Sequence, residues 1–133
     1  MTLQIDHVSI AVKSIAAVQN FYDVIMPILG ANKVGQSDSA LKYGVRNTAT
    51  ASNYNYLTVI EDKNFIQNRA NHWCFRVNNR ETVDTFYRQG LANGGADEGQ
   101  PGIRPDYHEH YYAAFLVDFF GNKIEAVCHL AQS

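Results

Sequence analysis

The chain has 133 residues, enough for one hydrophobic core or two small packed modules. Hydrophobic residues make up 46% and charged residues 18%, a globular balance that excludes a disordered segment. The net charge is −2 with no run of Lys or Arg, so nothing drives binding to nucleic acid or an anionic membrane surface, and no apolar stretch nears the roughly 20 residues of a membrane helix.

The amino terminus, "MTLQIDHVSIAV", lacks the basic start and small-residue cleavage site of a signal peptide. Cys74 and Cys128 make no disulfide framework and suit a reducing compartment, so a cytoplasmic protein is expected. In the first strand Val8, Ile10 and Val12 alternate with His7, Ser9 and Ala11. Ser14 then reads as the N-cap of a helix with an apolar stripe at Ile15, Val18, Phe21, Tyr22 and Ile25, which Pro27 and Gly30 bring to an end. Strands are expected at 33–39, 41–46 and 54–60, followed by a polar joining segment, 61–70.

The pattern then starts again. Trp73, Phe75 and Val77 alternate with His72, Cys74 and Arg76. Asn79 reads as the second N-cap, Val83, Phe86, Tyr87 and Leu91 as the stripe, and Gly94-Gly95 as the stop. Further strands are expected near 96–99, 111–118 and 123–128. Set on one another, the two halves match His7 with His72, Val12 with Val77, Phe21-Tyr22 with Phe86-Tyr87 and Gly30-Ala31 with Gly95-Ala96, all at one offset of 65. The chain is therefore expected to be one α+β domain, 1–133, built of two βαβββ modules at 1–60 and 70–133.

The last strand, within "NKIEAVCH", carries Glu125 among apolar residues, which requires a solvated face, an ion-pair partner or a metal. Strand parity puts each histidine on the face away from the module's bulky apolar side, and Glu125 can share that face. Cys74 lies on the His72 face while Cys128 lies opposite to Glu125, so no disulfide is expected between them. His7, His72 and Glu125 would make a facial metal set with open positions, suited to Fe, Mn, Ni or Zn. Taken singly, a strand histidine or glutamate is more often a solvated or hydrogen-bonded residue. Aligning "NYLTVI" (55–60) with "NKIEAV" (122–127) puts Thr58 opposite Glu125, so three protein ligands are expected.

The segment "GIRPDYHEHYYAAF" (102–115) gathers ionisable and aromatic groups. Tyr107, Tyr111 and Tyr112 are candidates for substrate-binding walls and hydroxyl donors, and His108 for a catalytic base. The alternative for each is a packed surface loop whose tyrosines bridge core and water. Arg76 is a candidate anchor for a substrate carboxylate, or else a partner of Asp118.

The stretches "DHVSIAV", "FYDVIMPILG", "NHWCFRV", "FYRQGLANGG" and "YYAAFLVDFFGNKIEAV" resemble the vicinal oxygen chelate superfamily, which includes glyoxalase I, bleomycin-binding proteins and extradiol dioxygenases. The resemblance implies a curved mixed sheet of two βαβββ modules cupping a divalent metal on His7, His72 and Glu125. It also implies a homodimer, often with the site at the subunit interface. The expected function is a metal-dependent enzyme, a lyase or isomerase or an Fe(II) dioxygenase, acting on a small hydroxy- or ketocarbonyl compound. The alternative is a metal-free small-molecule binding or sequestering protein. Thr58 departs from the carboxylate or amide that glyoxalase I has at that position.

Overall fold

A computed structural model describes residues 2–132 of the protein. The first half runs β1 (His7–Val12), α1 (Ile15–Ile28), β2 (Lys33–Gln36), β3 (Ala40–Gly44) and β4 (Tyr56–Glu61). The second repeats the order with β5 (His72–Arg76), α2 (Arg80–Ala92), β6 (Ala96–Ile103), β7 (Tyr112–Val117) and β8 (Lys123–Cys128). Each half makes a four-stranded mixed sheet, ordered β1-β4-β3-β2 and β5-β8-β7-β6, whose outer strand β1 or β5 runs parallel to its neighbour. The fold is α+β, two tandem βαβββ modules, and the two histidines open equivalent strands. No helix among the described residues is long and apolar enough to cross a membrane.

Local chemistry sets the helix ends. The Ala17 N–H donates to Ser14 Oγ, and the Glu61 carboxylate at the end of β4 accepts from the Ile15 N–H at 3.1 Å. Both satisfy donors that the first helical turn leaves unpaired. The Thr82 N–H donates to Asn79 Oδ1 at 2.8 Å in the same role for α2. Gly30 and Gly94 take φ of +105° and +101°, the left-handed geometry that ends each helix without a Cβ clash.

The core is continuous across the modules. The stripe of α1 is buried as its spacing implies. In α2, Val83 and Phe86 are buried, but Leu91 is 39% exposed, and the apolar contact falls instead on Gly90. A Cβ on Gly90 would stand 2.2 Å from Leu116 Cδ1 and 3.3 Å from both Ile25 and Phe21. Gly90 is the repeat equivalent of Ile25, and its missing side chain lets Leu116 fill the place while Ile25 and Phe21 of α1 approach beside it. A buried polar lock adds to this junction: Tyr22 Oη donates to Asp118 at 2.7 Å, and Asn122 Nδ2 donates to the Ala11 carbonyl at 2.8 Å.

Two strand limits differ most from the sequence expectation. β2 stops at Gln36 because residues 37–39 form a tight turn, with Ser37 N–H donating to the Ala40 carbonyl. β6 runs on to Ile103 through two irregularities that absorb Gly99 and Pro101, residues that read as turn formers in isolation.

Candidate functional site

The parallel ladder of β5 and β8 sets Cys74 directly opposite Glu125, on the face away from α2. Ile124, Ala126 and Cys128 point the other way, into the core. β8 lies between β5 and β7, and the Glu125 residue is only 2% exposed. Its charge is met by partners. Tyr111 Oη donates to Oε2 at 2.5 Å, and His72 Nε2 lies 3.2 Å from Oε1. The apolar strand tolerates a carboxylate because two side chains supply what water would.

The electrostatics around it are consistent. Desolvation against the sheet, with the Glu125 charge beside it, pushes the Cys74 thiol up to about 12, so it stays protonated. Burial and the hydrogen bond to Glu125 hold the Tyr111 phenol well above its ordinary value. Phe115, cross-strand from Glu125, carries Lys123 Nζ at 4.8 Å and the Arg104 guanidinium at 5.5 Å from its ring centroid.

Tyr111 is the hub of an aromatic cluster. Tyr107 packs on it at 4.6 Å between centroids, and the His108 and His129 rings meet it edge to face. His108 Nδ1 accepts the His110 backbone N–H at 3.0 Å, so its proton sits on Nε2, which donates to His129 Nδ1 at 2.8 Å. Both ring nitrogens of His108 are thus engaged away from Glu125. Tyr112, one residue on, turns to the opposite face, where its hydroxyl donates to Asp84 and the Arg80 guanidinium covers its ring. Parity separates it from Tyr111 and from the site.

His7 is on the other sheet, exposed, with Nδ1 2.7 Å from Asp6 Oδ2. The His7 hydrogen bond, with one from Asn47, holds the Asp6 carboxyl below its usual range. That contact fixes the ring and leaves Nε2 available, the arrangement common behind metal-bound imidazole. At the matched register, Ser9 pairs with Thr58 where Cys74 pairs with Glu125, so the first module offers no second carboxylate. Among the described residues no three His, Cys, Asp or Glu side chains converge closely enough to hold a metal ion. The donors fit a nitrogen- and oxygen-liganded divalent ion in kind, but one chain brings together only His72 and Glu125. Asp6, Cys74 and His129 were not legible as site residues from sequence. Only the face of Cys74 could have flagged it.

Arg76 continues the His72 and Cys74 face and makes no salt bridge or hydrogen bond among the described residues. Asp118, its possible partner by sequence, is filled by Tyr22 Oη, the backbone N–H groups of Phe120 and Asn122, and Asn122 Nδ2.

This architecture is shared with solved structures. A glyoxalase/bleomycin resistance protein from Albidiferax ferrireducens T118 is 27% identical, with 93% of this chain and 98% of that one covered at a TM-score of 0.76. A genomically encoded fosfomycin resistance protein from Listeria monocytogenes is 17% identical over 96% of this chain and 94% of its own, TM-score 0.67. Lactoylglutathione lyase from Agrobacterium tumefaciens is 16% identical over 94% and 92%, TM-score 0.62. No protein-family model and no curated protein matches the sequence. The fold is that of the glyoxalase/bleomycin resistance/dioxygenase proteins, consistent with the resemblance to the vicinal oxygen chelate superfamily.

Proposed function

We propose that the protein is a metal-dependent enzyme of the vicinal oxygen chelate type, a lyase or isomerase or an Fe(II) dioxygenase, acting on a small hydroxy- or ketocarbonyl compound. The observation that carries this reading is the buried Glu125 carboxylate with His72 Nε2 3.2 Å away. His72 and Glu125 would hold a divalent ion (Fe, Mn, Ni or Zn), with His7 delivered by a second copy of the chain in a homodimer. Supporting that partner are the exposure of His7 and of the apolar residues beside it, Leu3 at 92% and Ile5 at 52%. When bound, such an ion supplies a Lewis acid for a substrate carbonyl. Tyr111, held protonated, donates a hydrogen bond toward the same place, and Tyr107 walls it.

The test is metal content and metal-dependent melting temperature after reconstitution with each ion, for wild type, Glu125→Gln and His7→Ala. Strong binding by wild type that both variants lose is expected. Equal binding by all three, or none by wild type, overturns the reading. A metal-free binding protein is the second reading, and one observation favours it: both Glu125 oxygens already have partners in Tyr111 and His72. A folded wild type that takes up none of the ions selects it.

A further inference from the structure

The open face of the first sheet carries a charge pattern opposite to that around Glu125. Strand register puts Ser9, Thr58 and Lys42 side by side on one rung, His7, Tyr56 and Gly44 on the next, and Ala11, Ile60 and Ala40 on the third. No Asp or Glu stands on these rungs, whereas the second sheet holds Glu125 at the place equivalent to Thr58. The Lys42 stem lies across Gly35, where a Cβ would stand 3.5 Å from its Cδ. Arg46 covers the Tyr56 ring, with Cζ 4.5 Å from the centroid. The loop that carries Arg46 is pinned by Asn47, whose Nδ2 donates to Asp6 Oδ1 at 2.6 Å and to the Tyr54 carbonyl at 2.8 Å. Asp6, an acid whose charge reaches Arg46, is already bonded to His7 and Asn47. Neither Lys42 nor Arg46 makes a salt bridge among the described residues.

We propose that this face binds a compact dianionic group, a phosphate ester or a dicarboxylate, between the Lys42 ammonium and the Arg46 guanidinium, with the Thr58 and Ser9 hydroxyls as further donors. Two cations without acid partners suit a doubly charged group, the lysine as a point charge and the arginine as a planar fork. The Tyr56 hydroxyl reports the same field. Burial alone would raise its phenol, yet its polar neighbours Arg46 and Thr58 and the Lys42 charge hold it below its ordinary value. A phenol drawn toward its anion marks positive potential where the ligand's oxygens would sit. The inference deepens the proposed function and rests on it for the fate of the ligand, not for binding. Tyr56, under Arg46, is one strand spacing from His7, roughly 5 Å, and Lys42 is on the strand beyond, roughly 10 Å from that of His7. A dianion held there leaves the body of the ligand within reach of the ion that His7 is proposed to complete. The substrate class becomes a small hydroxy- or ketocarbonyl compound with a doubly charged end group.

The experiment is calorimetric titration of the full-length protein with phenyl phosphate, malonate, acetate and phenol. It is run at constant ionic strength and about pH 8, where a phosphate ester is doubly charged. The proteins are wild type, Lys42→Gln, Arg46→Gln, Lys33→Gln and Glu125→Gln. Saturable one-to-one binding of at least one dianion is expected in wild type, with acetate and phenol weaker. Lys42→Gln and Arg46→Gln should each weaken the dianion about tenfold or more, as loss of a charge-assisted hydrogen bond implies. Lys33→Gln should leave it unchanged, because Lys33 is already paired with Asp23 at 3.0 Å, and so should Glu125→Gln. Tighter phenyl phosphate assigns the phosphate ester and tighter malonate the dicarboxylate, and either order supports the site. Absence of saturable dianion binding, equal affinity for acetate or phenol, an equal loss in Lys33→Gln, or a Lys42→Gln or Arg46→Gln variant that binds as wild type overturns the proposal. Metal analysis of the same samples separates the two readings. Dianion binding lost in Glu125→Gln but kept in Lys42→Gln and Arg46→Gln belongs to the metal ion and sinks the first-sheet site alone. Dianion binding lost with Lys42 or Arg46 in a protein that takes up no ion sinks the metal site alone.

Discussion

The two modules share a backbone plan and differ in what they place on it. Ser9 and Thr58 face each other in the first; Cys74 and Glu125 do so at the same rung of the second. His7 stands in water with Asp6, whereas His72 leans on a buried carboxylate under a tyrosine hydroxyl. The repeat thus supplies two equal supports for a sheet face, and side-chain divergence puts the buried carboxylate in one of them. The helix side shows the same principle. Leu116 fills the space that Gly90 leaves, with Ile25, the repeat equivalent of Gly90, packed beside it, so the junction works because the copies have become unlike.

Substitutions at repeat-related positions sharpen this comparison. Phe21 and Phe86 are both buried in the shared core, at 2% and 0% exposure. Each change to alanine is expected to cost about 3–5 kcal/mol in urea unfolding, with one cooperative transition in both variants. Two separate transitions, or a large inequality, would break the picture of one core built by two equal helices.

Tyr22 and Tyr87 are also repeat-related but have diverged. Tyr22 Oη donates to the buried Asp118, while Tyr87 Oη reaches Asp97 at the surface. Tyr22→Phe is expected to lose about 1.5–3 kcal/mol, because a buried carboxylate loses a donor. Tyr87→Phe is expected to change stability by less than about 0.5 kcal/mol. Equal losses would mean that the inter-module lock contributes no more than a surface contact.

The smallest effect is expected at Cys74. Desolvation and the Glu125 charge hold its proton up to about 12 from an ordinary 9.0, so alkylation by iodoacetamide at about pH 9 should be slow and should quicken in Glu125→Gln. The folded state keeps this proton where the unfolded chain has released it, so the group's contribution to stability is present below about pH 9 and lost as pH rises toward 12. Mass spectrometry of the alkylated residue separates Cys74 from the buried Cys128. Rapid modification at pH 9, unchanged in Glu125→Gln, would show that the second module holds no charge close to the thiol.

Much of the scaffold was readable because it is local. Alternation in His7–Val12 and His72–Arg76 follows from strand parity, and the caps at Ser14 and Asn79 follow from unpaired helix donors. The constant offset carried those local readings to two equivalent modules. Leu91 was misplaced because helical spacing alone does not register that Gly90 is where the two helices approach. The length of β6 was hidden because Gly99 and Pro101 read as breakers unless a partner strand holds them.

The sequence by itself determined that His72, Cys74 and Arg76 share one face and that Glu125 opposes Ile124 and Ala126 in parity, while the register that sets Glu125 beside Cys74 came with the fold. Only the tertiary structure decided how the charge there is met. Tyr111 comes from an aperiodic segment, where neither spacing nor parity says which hydroxyl folds back onto the sheet. The same holds for His108, drawn to His129, and for Arg76, left without Asp118 because Tyr22 from the other module and the 118–122 turn had filled that carboxylate. Faces follow from backbone periodicity, a local property. Partners follow from which side chains converge once distant segments pack, and that competition has no signature along the chain.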